Sequence, residues 1–258
     1  MSKSVNLNST VSSSQGLSSS LEYLISSIQN QPQMTPEKAR QYLVKARVNP
    51  EELSPWANFD HSPADSYGRQ MVYDGGYFEV MVMSWVPGDH SAIHDHGSAQ
   101  WGAVQFFGEA KHFVYTLENG VLTTSAEMNF KAGSVWSVDH DLIHQMGNAS
   151  QSPFLSLHIY GGDKLTGSVT SDTRLFDLFE GSIQYTDGGV FFGLPEAQIS
   201  QRSYGLRGDC ATTLRHNQQM RERICRMLAA NNYSDTDLIS KLEILEQTIS
   251  LLKQETSL

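Results

Sequence analysis

The chain has 258 residues, a formal net charge of −10 and a hydrophobic share of 39%. A nucleic-acid binder would need a basic stripe, and the sequence has none, while its apolar content is sufficient for a folded core. The two cysteines are too few for a disulfide framework, and no apolar run has the length of a signal peptide or a membrane span. We therefore expect a cytoplasmic protein that binds neither nucleic acid nor membrane.

The N-terminal part predicts a tail followed by two helices. Residues 1–17 are Ser-rich and of low complexity, and they are expected to be disordered. Apolar residues then recur at helical spacing, at Leu21, Leu24, Ile25 and Ile28. A second helix should begin after Thr35, a good N-cap residue that is followed by Pro36, and should end near Asn49-Pro50.

From about Tyr67 to Gly193 the pattern becomes that of serial strands. Short segments rich in Val, Phe, Tyr and Trp alternate with glycine, which is typical of a β-sandwich or barrel. The clearest of these segments are Tyr77–Trp85, Gly102–Phe107, Lys111–Leu117, Gly133–Val138 and Phe154–Tyr160. Between two of them, Asn119-Gly120 predicts a hairpin turn.

The C-terminal part, residues 201–258, is predicted to be a helical extension of a domain formed by residues 18–200. Apolar residues follow an alternating four-three spacing, at Leu238, Leu242, Leu245, Ile249 and Leu252, and Ser234 is the candidate N-cap. Such a seam packs either on its own domain or against a second copy in a homodimer, and the sequence leaves both open.

The histidines of the β region carry the strongest chemical signal. In a strand, His94 and His96 would point to one side and Asp95 to the other, so that two imidazoles are directed at one metal ion. Imidazole ligands suit iron, zinc, copper or nickel, so the ligand type alone does not identify the metal.

The surrounding residues resemble the two sequence motifs of the cupin superfamily. Residues 88–108 resemble the first motif, with Trp101 at the position of its glutamate, and residues 133–148 resemble the second, with His144 at its histidine position. The resemblance implies a mainly β fold, a cupin jelly-roll barrel with N-terminal helices and a C-terminal helical extension. It also implies a metal ion bound by His94, His96 and His144, with His140 as the competitor for the third position. His90 and His112 are interpreted as turn and surface residues.

A three-histidine site without a carboxylate resembles that of the thiol dioxygenases. The segment Ser156-Leu157-His158-Ile159-Tyr160 resembles the Ser-x-His-x-Tyr segment of cysteine dioxygenase, and Tyr67-Gly68-Arg69 resembles its Tyr-x-Arg. The resemblance implies Fe(II) as the cofactor and a hydrogen-bonded relay of Ser156, His158 and Tyr160. It further implies that Arg69 binds a substrate carboxylate, with Tyr67 and Trp101 beside it. No cysteine lies near Trp101, so Tyr160 should not be crosslinked.

The predicted activity is therefore an Fe(II)-dependent oxidation of L-cysteine by dioxygen to cysteine sulfinate. One alternative is 3-mercaptopropionate or another small thiol as the substrate, because Gln70 follows Arg69 and some relatives carry Gln in place of Arg. The other alternative is a metal-binding or sensory cupin without turnover.

Overall fold

The computed structural model describes residues 16–162, 168–187 and 189–255, so that almost all of the predicted Ser-rich tail lies outside the described residues. The helices are α1 (Ser19–Gln29), α2 (Pro36–Ala46), α3 (Cys210–Ala230) and α4 (Thr236–Glu255). The strands are β1 (Gly68–Asp74), β2 (Phe78–Trp85), β3 (Trp101–Phe106), β4 (Ala110–Glu118), β5 (Val121–Phe130), β6 (Val135–Asp139), β7 (Ile143–Gly147), β8 (Phe154–Gly161), β9 (Thr173–Asp177), β10 (Ser182–Thr186), β11 (Gln201–Tyr204) and β12 (Arg207–Gly208). Among the described helices, none has both the length and the apolar character needed to cross a membrane.

The two N-terminal helices form where the sequence predicts them. Thr35 accepts a hydrogen bond from the backbone of Lys38, and α2 begins at Pro36. The helix ends at Ala46, before the predicted boundary, because Arg47 adopts a left-handed conformation. Asn49 instead begins a short 3-10 helix, Pro50–Trp56.

A five-stranded sheet, in the order β1-β2-β8-β3-β6, forms one wall of the barrel. Its outer face packs against α1 and α2, where Val82, Leu157 and Ile159 join Leu24 and Leu43 in one buried apolar cluster. Burial of these side chains is the main stabilising contribution in this layer. The helices therefore cover the outside of this sheet and leave its inner face to the barrel interior.

The opposite wall is assembled from two smaller sheets that meet at His94. Their strand orders are β12-β5-β4-β7 and β11-β10-β9. The backbone of His94 bridges to His144 on β7 and to Leu175 on β9. His94 and His144 exchange N–H···O hydrogen bonds of 2.9 Å in both directions. The two walls enclose the interior, and the prediction of a mainly β cupin barrel is confirmed.

Local predictions in the β region are largely confirmed. Each of the five predicted segments overlaps a strand, with bounds that agree to within about two residues. The Asn119-Gly120 turn joins β4 to β5 with positive φ angles of 52° and 76°. The strand predicted around His94 and His96 does not form, and of these two residues only His94 makes backbone β-bridges to its neighbours. Pro87, Gly88 and Gly97 flank this segment, and proline and glycine are poor members of a continuous strand.

The C-terminal extension differs from the prediction at its start. Residues 201–208 contain β11 and β12, and the helical part begins at Cys210. The side chain of Asp235, in place of Ser234, accepts the first backbone N–H groups of α4. Leu245 of α4 packs with Met220 and Ile224 of α3, so the seam is used within the chain. A homodimer through the C-terminal helix and the proposed domain boundaries stay predictions.

A three-histidine site inside the barrel

Three buried imidazoles converge in the barrel interior. Nε2 of His144 lies 3.1 Å from Nε2 of His94 and 3.1 Å from Nε2 of His96. Nitrogens that bind one divalent metal at about 2.1 Å and at right angles to each other are about 3 Å apart. The distances from His144 to His94 and to His96 therefore fit imidazoles that share one metal ion, and the ligand atoms of all three lie within 4.8 Å of one another. Among the described residues, no carboxylate belongs to this cluster.

The protonation of the three imidazoles also suits metal binding. Burial lowers the pKa of His94 to about 4, and it lowers the pKa of His96 and His144 well below the usual value. The neighbouring histidines lower the pKa of His96 and His144 further. All three are therefore neutral at pH 7, as a metal-binding imidazole must be.

Two of the three imidazoles are held by a second contact at Nδ1. Nδ1 of His94 lies 2.9 Å from the carbonyl oxygen of Ala92, and Nδ1 of His144 lies 2.7 Å from Nε2 of His112. If Nε2 of His144 binds a metal, its proton is on Nδ1, and Nδ1–H donates a hydrogen bond to Nε2 of His112. The interpretation of His112 as a surface residue is therefore wrong: this residue is 2% exposed and contacts His144.

His140 and His90 lie outside the cluster. Nδ1 of His140 lies 2.8 Å from the carbonyl oxygen of Ala99, and Nδ1 of His90 lies 3.2 Å from that of Gly88. The group of metal-ligating side chains contains His144 and not His140. Geometry thus favours His144 over its competitor.

Ser156, His158 and Tyr160 form a hydrogen-bonded row on the inner face of β8. The Oγ of Ser156 lies 2.7 Å from Nε2 of His158, and Nδ1 of His158 lies 2.9 Å from the hydroxyl oxygen of Tyr160. Burial lowers the pKa of His158 to about 3 and raises the pKa of Tyr160. At pH 7 the row therefore consists of neutral groups.

Trp85 gives this row a direction. Its indole Nε1–H donates to the Oγ of Ser156 over 2.8 Å, and an indole can only donate. Ser156 is fully buried, and Nε2 of His158 is the one acceptor within reach of its hydroxyl proton among the described residues. The tautomer that pairs this proton has Ser156 donating to Nε2 of His158, and Nδ1–H of His158 then donates to the oxygen of Tyr160. The hydroxyl proton of Tyr160 is left to point away from His158, toward the cavity.

Four side chains of the histidine cluster and the row, those of His94, His96, His158 and Tyr160, line one cavity. Counted with the part that is open to solvent, its volume is about 460 Å³. Arg69 on β1 also lines this cavity, whereas the next residue, Gln70, is exposed on the other face of the strand. Within the part of the chain that the structure describes, the carboxylate in ion-pair contact with Arg69 is that of Glu79, at 3.9 Å. The guanidinium of Arg69 is therefore available to a second anion.

Tyr67 forms part of the cavity wall by stacking. Its ring lies on that of Trp85 at a centroid distance of 4.6 Å, and its hydroxyl oxygen accepts a long hydrogen bond of 3.4 Å from the backbone of Val190. Burial raises the pKa of Tyr67 to about 12, so this phenol stays protonated at neutral pH.

The prediction that Trp101 forms a wall of the pocket is wrong. Trp101 lies in the apolar cluster between the five-stranded sheet and the N-terminal helices. Its neighbour Gly102 pairs with Tyr160 and faces inward, where an added Cβ would lie 2.6 Å from Cδ1 of that ring. A loop separates His96 from the start of β3 at Trp101, so the spacing of the motif does not fix the register of this strand. A shift of one residue reverses the faces of a strand. Gly102, in place of Trp101, stands opposite Tyr160.

Asp95 and several apolar residues complete the surroundings of the site. Asp95 was expected to point away from the histidines, and its carboxylate indeed binds the guanidinium and backbone of Arg174 on β9. The remaining walls are built largely by apolar side chains that no motif marks, namely Met81, Met83, Trp85, Met146 and Val190. The sequence does contain a signal for Met81 and Met83. They alternate along β2 with Val80 and Val82, which pack against the N-terminal helices, so the methionines face the barrel interior.

Comparison with known proteins gives a consistent result. A family model described as cysteine dioxygenase type I matches residues 7–163. Cysteine dioxygenase type 1 of Danio rerio is 25% identical over 131 residues, which are 48% of this chain and 64% of that protein. The Bos taurus protein of the same name is 28% identical over 118 residues, 43% of this chain and 58% of the relative. The chain thus matches less than two thirds of either relative's length.

Two solved structures are distantly similar to this chain. One is a protein with a double-stranded β-helix domain from Klebsiella pneumoniae, at 19% identity and a TM-score of 0.35, covering 45% of this chain and 89% of the other. The second is a cupin 2 conserved barrel domain protein from Salinispora arenicola, at 17% identity and a TM-score of 0.31, covering 39% of this chain and 80% of the other.

Proposed function

This chain belongs to the cysteine dioxygenase type I family, and on that premise we propose that it is an Fe(II)-dependent thiol dioxygenase. The proposed reaction adds both atoms of dioxygen to the sulfur of L-cysteine and forms cysteine sulfinate. Atoms balance in this reaction, since one thiol and one dioxygen give one sulfinic acid. The proposed setting is cytoplasmic, with Cys210 and Cys225 as free thiols.

The observation that carries this proposal is the content of a single cavity. Three neutral imidazoles have converging Nε2 atoms. Two of them, those of His94 and His96, line the same cavity as the guanidinium of Arg69 and the protonated phenol of Tyr160. A substrate with a thiolate and a carboxylate needs three kinds of group in its site. These are ligands for the metal that binds the thiolate, a cation for the carboxylate and a hydrogen-bond donor for the reacting atoms. When bound, Fe(II) would supply a dipositive charge that favours thiolate over thiol, and it would mediate electron transfer from the sulfur, which is oxidised, to dioxygen, which is reduced.

Arg69 is proposed to hold the substrate carboxylate. A guanidinium binds a carboxylate through two parallel N–H···O hydrogen bonds, which orients the substrate as well as attracting it. The cavity wall beside it is apolar, with Met81 and Met83 on the neighbouring strand. In such surroundings an ion pair is stronger than in water, so Arg69 positions the thiol group next to the histidines.

Tyr160 is proposed to donate a hydrogen bond to the reacting atoms. Its ring lies 5.0 Å from that of His96, measured between centroids, which places it at the metal-binding end of the cavity. His158 and Ser156 orient the phenol without exchanging a proton with the substrate, because burial keeps His158 neutral. The direction set by Trp85 leaves the phenol as a donor.

The test is oxygen uptake by the full chain after anaerobic loading with Fe(II). L-Cysteine and 3-mercaptopropionate are supplied separately, and the sulfinate product is quantified against the oxygen consumed. We expect one sulfinate per dioxygen with L-cysteine. Arg69→Gln should lower kcat/KM for L-cysteine about 100-fold, or about 2.8 kcal/mol, because a charge-assisted carboxylate contact is lost. Gln70→Ala is the matched control, since this neighbour faces away from the cavity.

The other outcomes identify the alternatives. Preferential turnover of 3-mercaptopropionate would retain the chemistry and change the substrate. An iron-loaded protein that consumes no oxygen with either thiol would contradict the dioxygenase proposal and favour a metal-binding or sensory cupin. Unchanged kcat/KM in Arg69→Gln would contradict the assignment of this residue to the carboxylate.

A further inference from the structure

Glu79 is a buried acidic residue on the inner face of β2. Along this strand Val80 and Val82 pack outside against the N-terminal helices, whereas Met81 and Met83 face the barrel interior. Glu79 alternates with the valines and therefore shares the inner face with the methionines. It is 6% exposed, and the chemistry proposed for the three-histidine site assigns it no part.

Two residues that line the three-histidine cavity are neighbours of Glu79. In the pairing of β2 with β8, Glu79 stands opposite Tyr160, so the two side chains point to the same side of the sheet. Oε2 of Glu79 lies 3.9 Å from Nη2 of Arg69. Glu79 itself is not among the described side chains that line the cavity, so it acts on a bound molecule through its charge and not by contact.

The donors around Glu79 stabilise its ionised form. Burial raises the pKa of this carboxyl group, and the nearby carboxylate of Asp74 raises it further. The guanidinium of Arg69, the backbone N–H of Val169 and the hydroxyl of Ser168 oppose this rise. At 3.9 Å the ion pair is too long for a hydrogen bond, so Glu79 does not occupy an N–H group of Arg69.

The end of the cavity at Arg69 therefore experiences one positive and one negative group. A carboxylate bound to the guanidinium of Arg69 is attracted by that group and repelled by Glu79. An ammonium group on the carbon that bears this carboxylate is attracted by Glu79 and offsets the repulsion. Because both protein groups belong to largely buried surroundings, these interactions are stronger than they would be in water.

We propose that Glu79 determines substrate specificity, by making the site selective for thiols that carry an ammonium group beside the carboxylate. This inference rests on the proposed function, because it takes Arg69 as the partner of the substrate carboxylate. L-Cysteine and 3-mercaptopropionate have the same carbon chain and differ only in the ammonium group. A comparison of these two thiols therefore isolates the effect of the charge of Glu79.

The experiment compares Glu79→Gln with the wild type as full-length, iron-loaded chains. Each is titrated with L-cysteine and with 3-mercaptopropionate in anaerobic isothermal titration calorimetry at neutral pH. Because Gln keeps the shape of the side chain and removes its charge, we expect the ratio of affinities, L-cysteine over 3-mercaptopropionate, to fall at least about fivefold. A purely structural role would weaken both thiols equally, so an unchanged or higher ratio would overturn the proposal.

Two further variants separate charge from shape and from net charge. Glu79→Asp keeps the carboxylate and should retain more of the wild-type ratio than Glu79→Gln does. Glu127→Gln is the matched control, because it removes an exposed carboxylate that pairs with Lys111 on the opposite wall, and the ratio should stay at the wild-type value. An equal fall in Glu79→Asp and Glu79→Gln, or the same fall in Glu127→Gln, would refute the assignment to the charge of Glu79.

Failure of the proposed function gives a different result. A wild-type protein that binds both thiols and consumes no oxygen would contradict the dioxygenase proposal, whereas the ratio of affinities would still test Glu79. If Arg69→Gln leaves the affinity for both thiols unchanged, the carboxylate is bound elsewhere and the inference about Glu79 fails with that assignment. If neither thiol binds to the wild type, both proposals fail.

Discussion

The two faces of β8 show how one strand separates chemistry from stability. On the inner face Ser156, His158 and Tyr160 form a polar row that is buried and hydrogen-bonded throughout. On the outer face Leu157 and Ile159 are fully buried against the N-terminal helices. Successive side chains point to opposite faces because the strand is pleated. The polar residues of β8 therefore all face the barrel interior, and the apolar residues Leu157 and Ile159 face the helices. Changes on the inner side should therefore affect metal binding and catalysis, and changes on the outer side should affect stability.

The largest expected effect comes from removing a metal ligand on the inner side. His94→Ala should abolish stoichiometric iron binding and turnover, because only two of the three imidazoles remain to hold the metal. Metal content after loading and oxygen uptake measure this. His140→Ala is the matched control and should keep both, since His140 lies outside the cluster. Full iron content in His94→Ala would refute the ligand assignment.

A change on the outer face of β8 should lower stability and leave iron binding and turnover intact. Leu157→Ala creates a cavity at a site that is 0% exposed and should lower the free energy of unfolding by about 2–5 kcal/mol. Iron content and kcat of the folded variant should stay close to those of the wild type. Urea unfolding of the metal-free protein gives the stability, and oxygen uptake gives kcat. A variant that keeps its stability and loses iron would contradict the division between the two faces.

Tyr160→Phe should affect catalysis without affecting the outer core. The variant removes the one hydroxyl that the polar row directs into the cavity, and we expect kcat to fall about 10- to 100-fold while iron binding is retained. Trp85→Phe removes the donor that orients Ser156 and should lower kcat less. An equal loss of iron in Tyr160→Phe would instead indicate a structural role for the phenol.

The smallest expected effect concerns pH. The pKa of His158 is lowered to about 3 in the folded protein and returns to about 6.5 on unfolding, so the unfolded state binds one more proton between these values. Stability is therefore lost as pH falls from about 6.5 toward 3. His158→Gln should reduce the slope of unfolding free energy against pH, near pH 5, by about 1.4 kcal/mol per pH unit. Urea unfolding of the metal-free protein at several pH values measures this slope. Leu157→Ala should lower stability without changing the slope, and an unchanged slope in His158→Gln would contradict the neutral state of this histidine.

Local patterns in the sequence determined much of the fold and the chemical core of the site. The N-cap at Thr35, the Asn119-Gly120 turn and the alternation of Ser156, His158 and Tyr160 depend on backbone preferences within a few residues. The histidines of the two cupin motifs were also identified, because their spacing carries information about a metal site. These features could be predicted because neighbours along the chain are neighbours in space.

Contacts between distant segments were decided only by the tertiary structure. His112 meets His144 from 32 residues away, and Trp85 donates to Ser156 from 71 residues away. Trp101, which was predicted to lie beside Arg69, packs outside the barrel, because a loop sets the register of the strand that follows. Sequence periodicity indicates which residues share a face, but the packing of the whole barrel decides which face is inside.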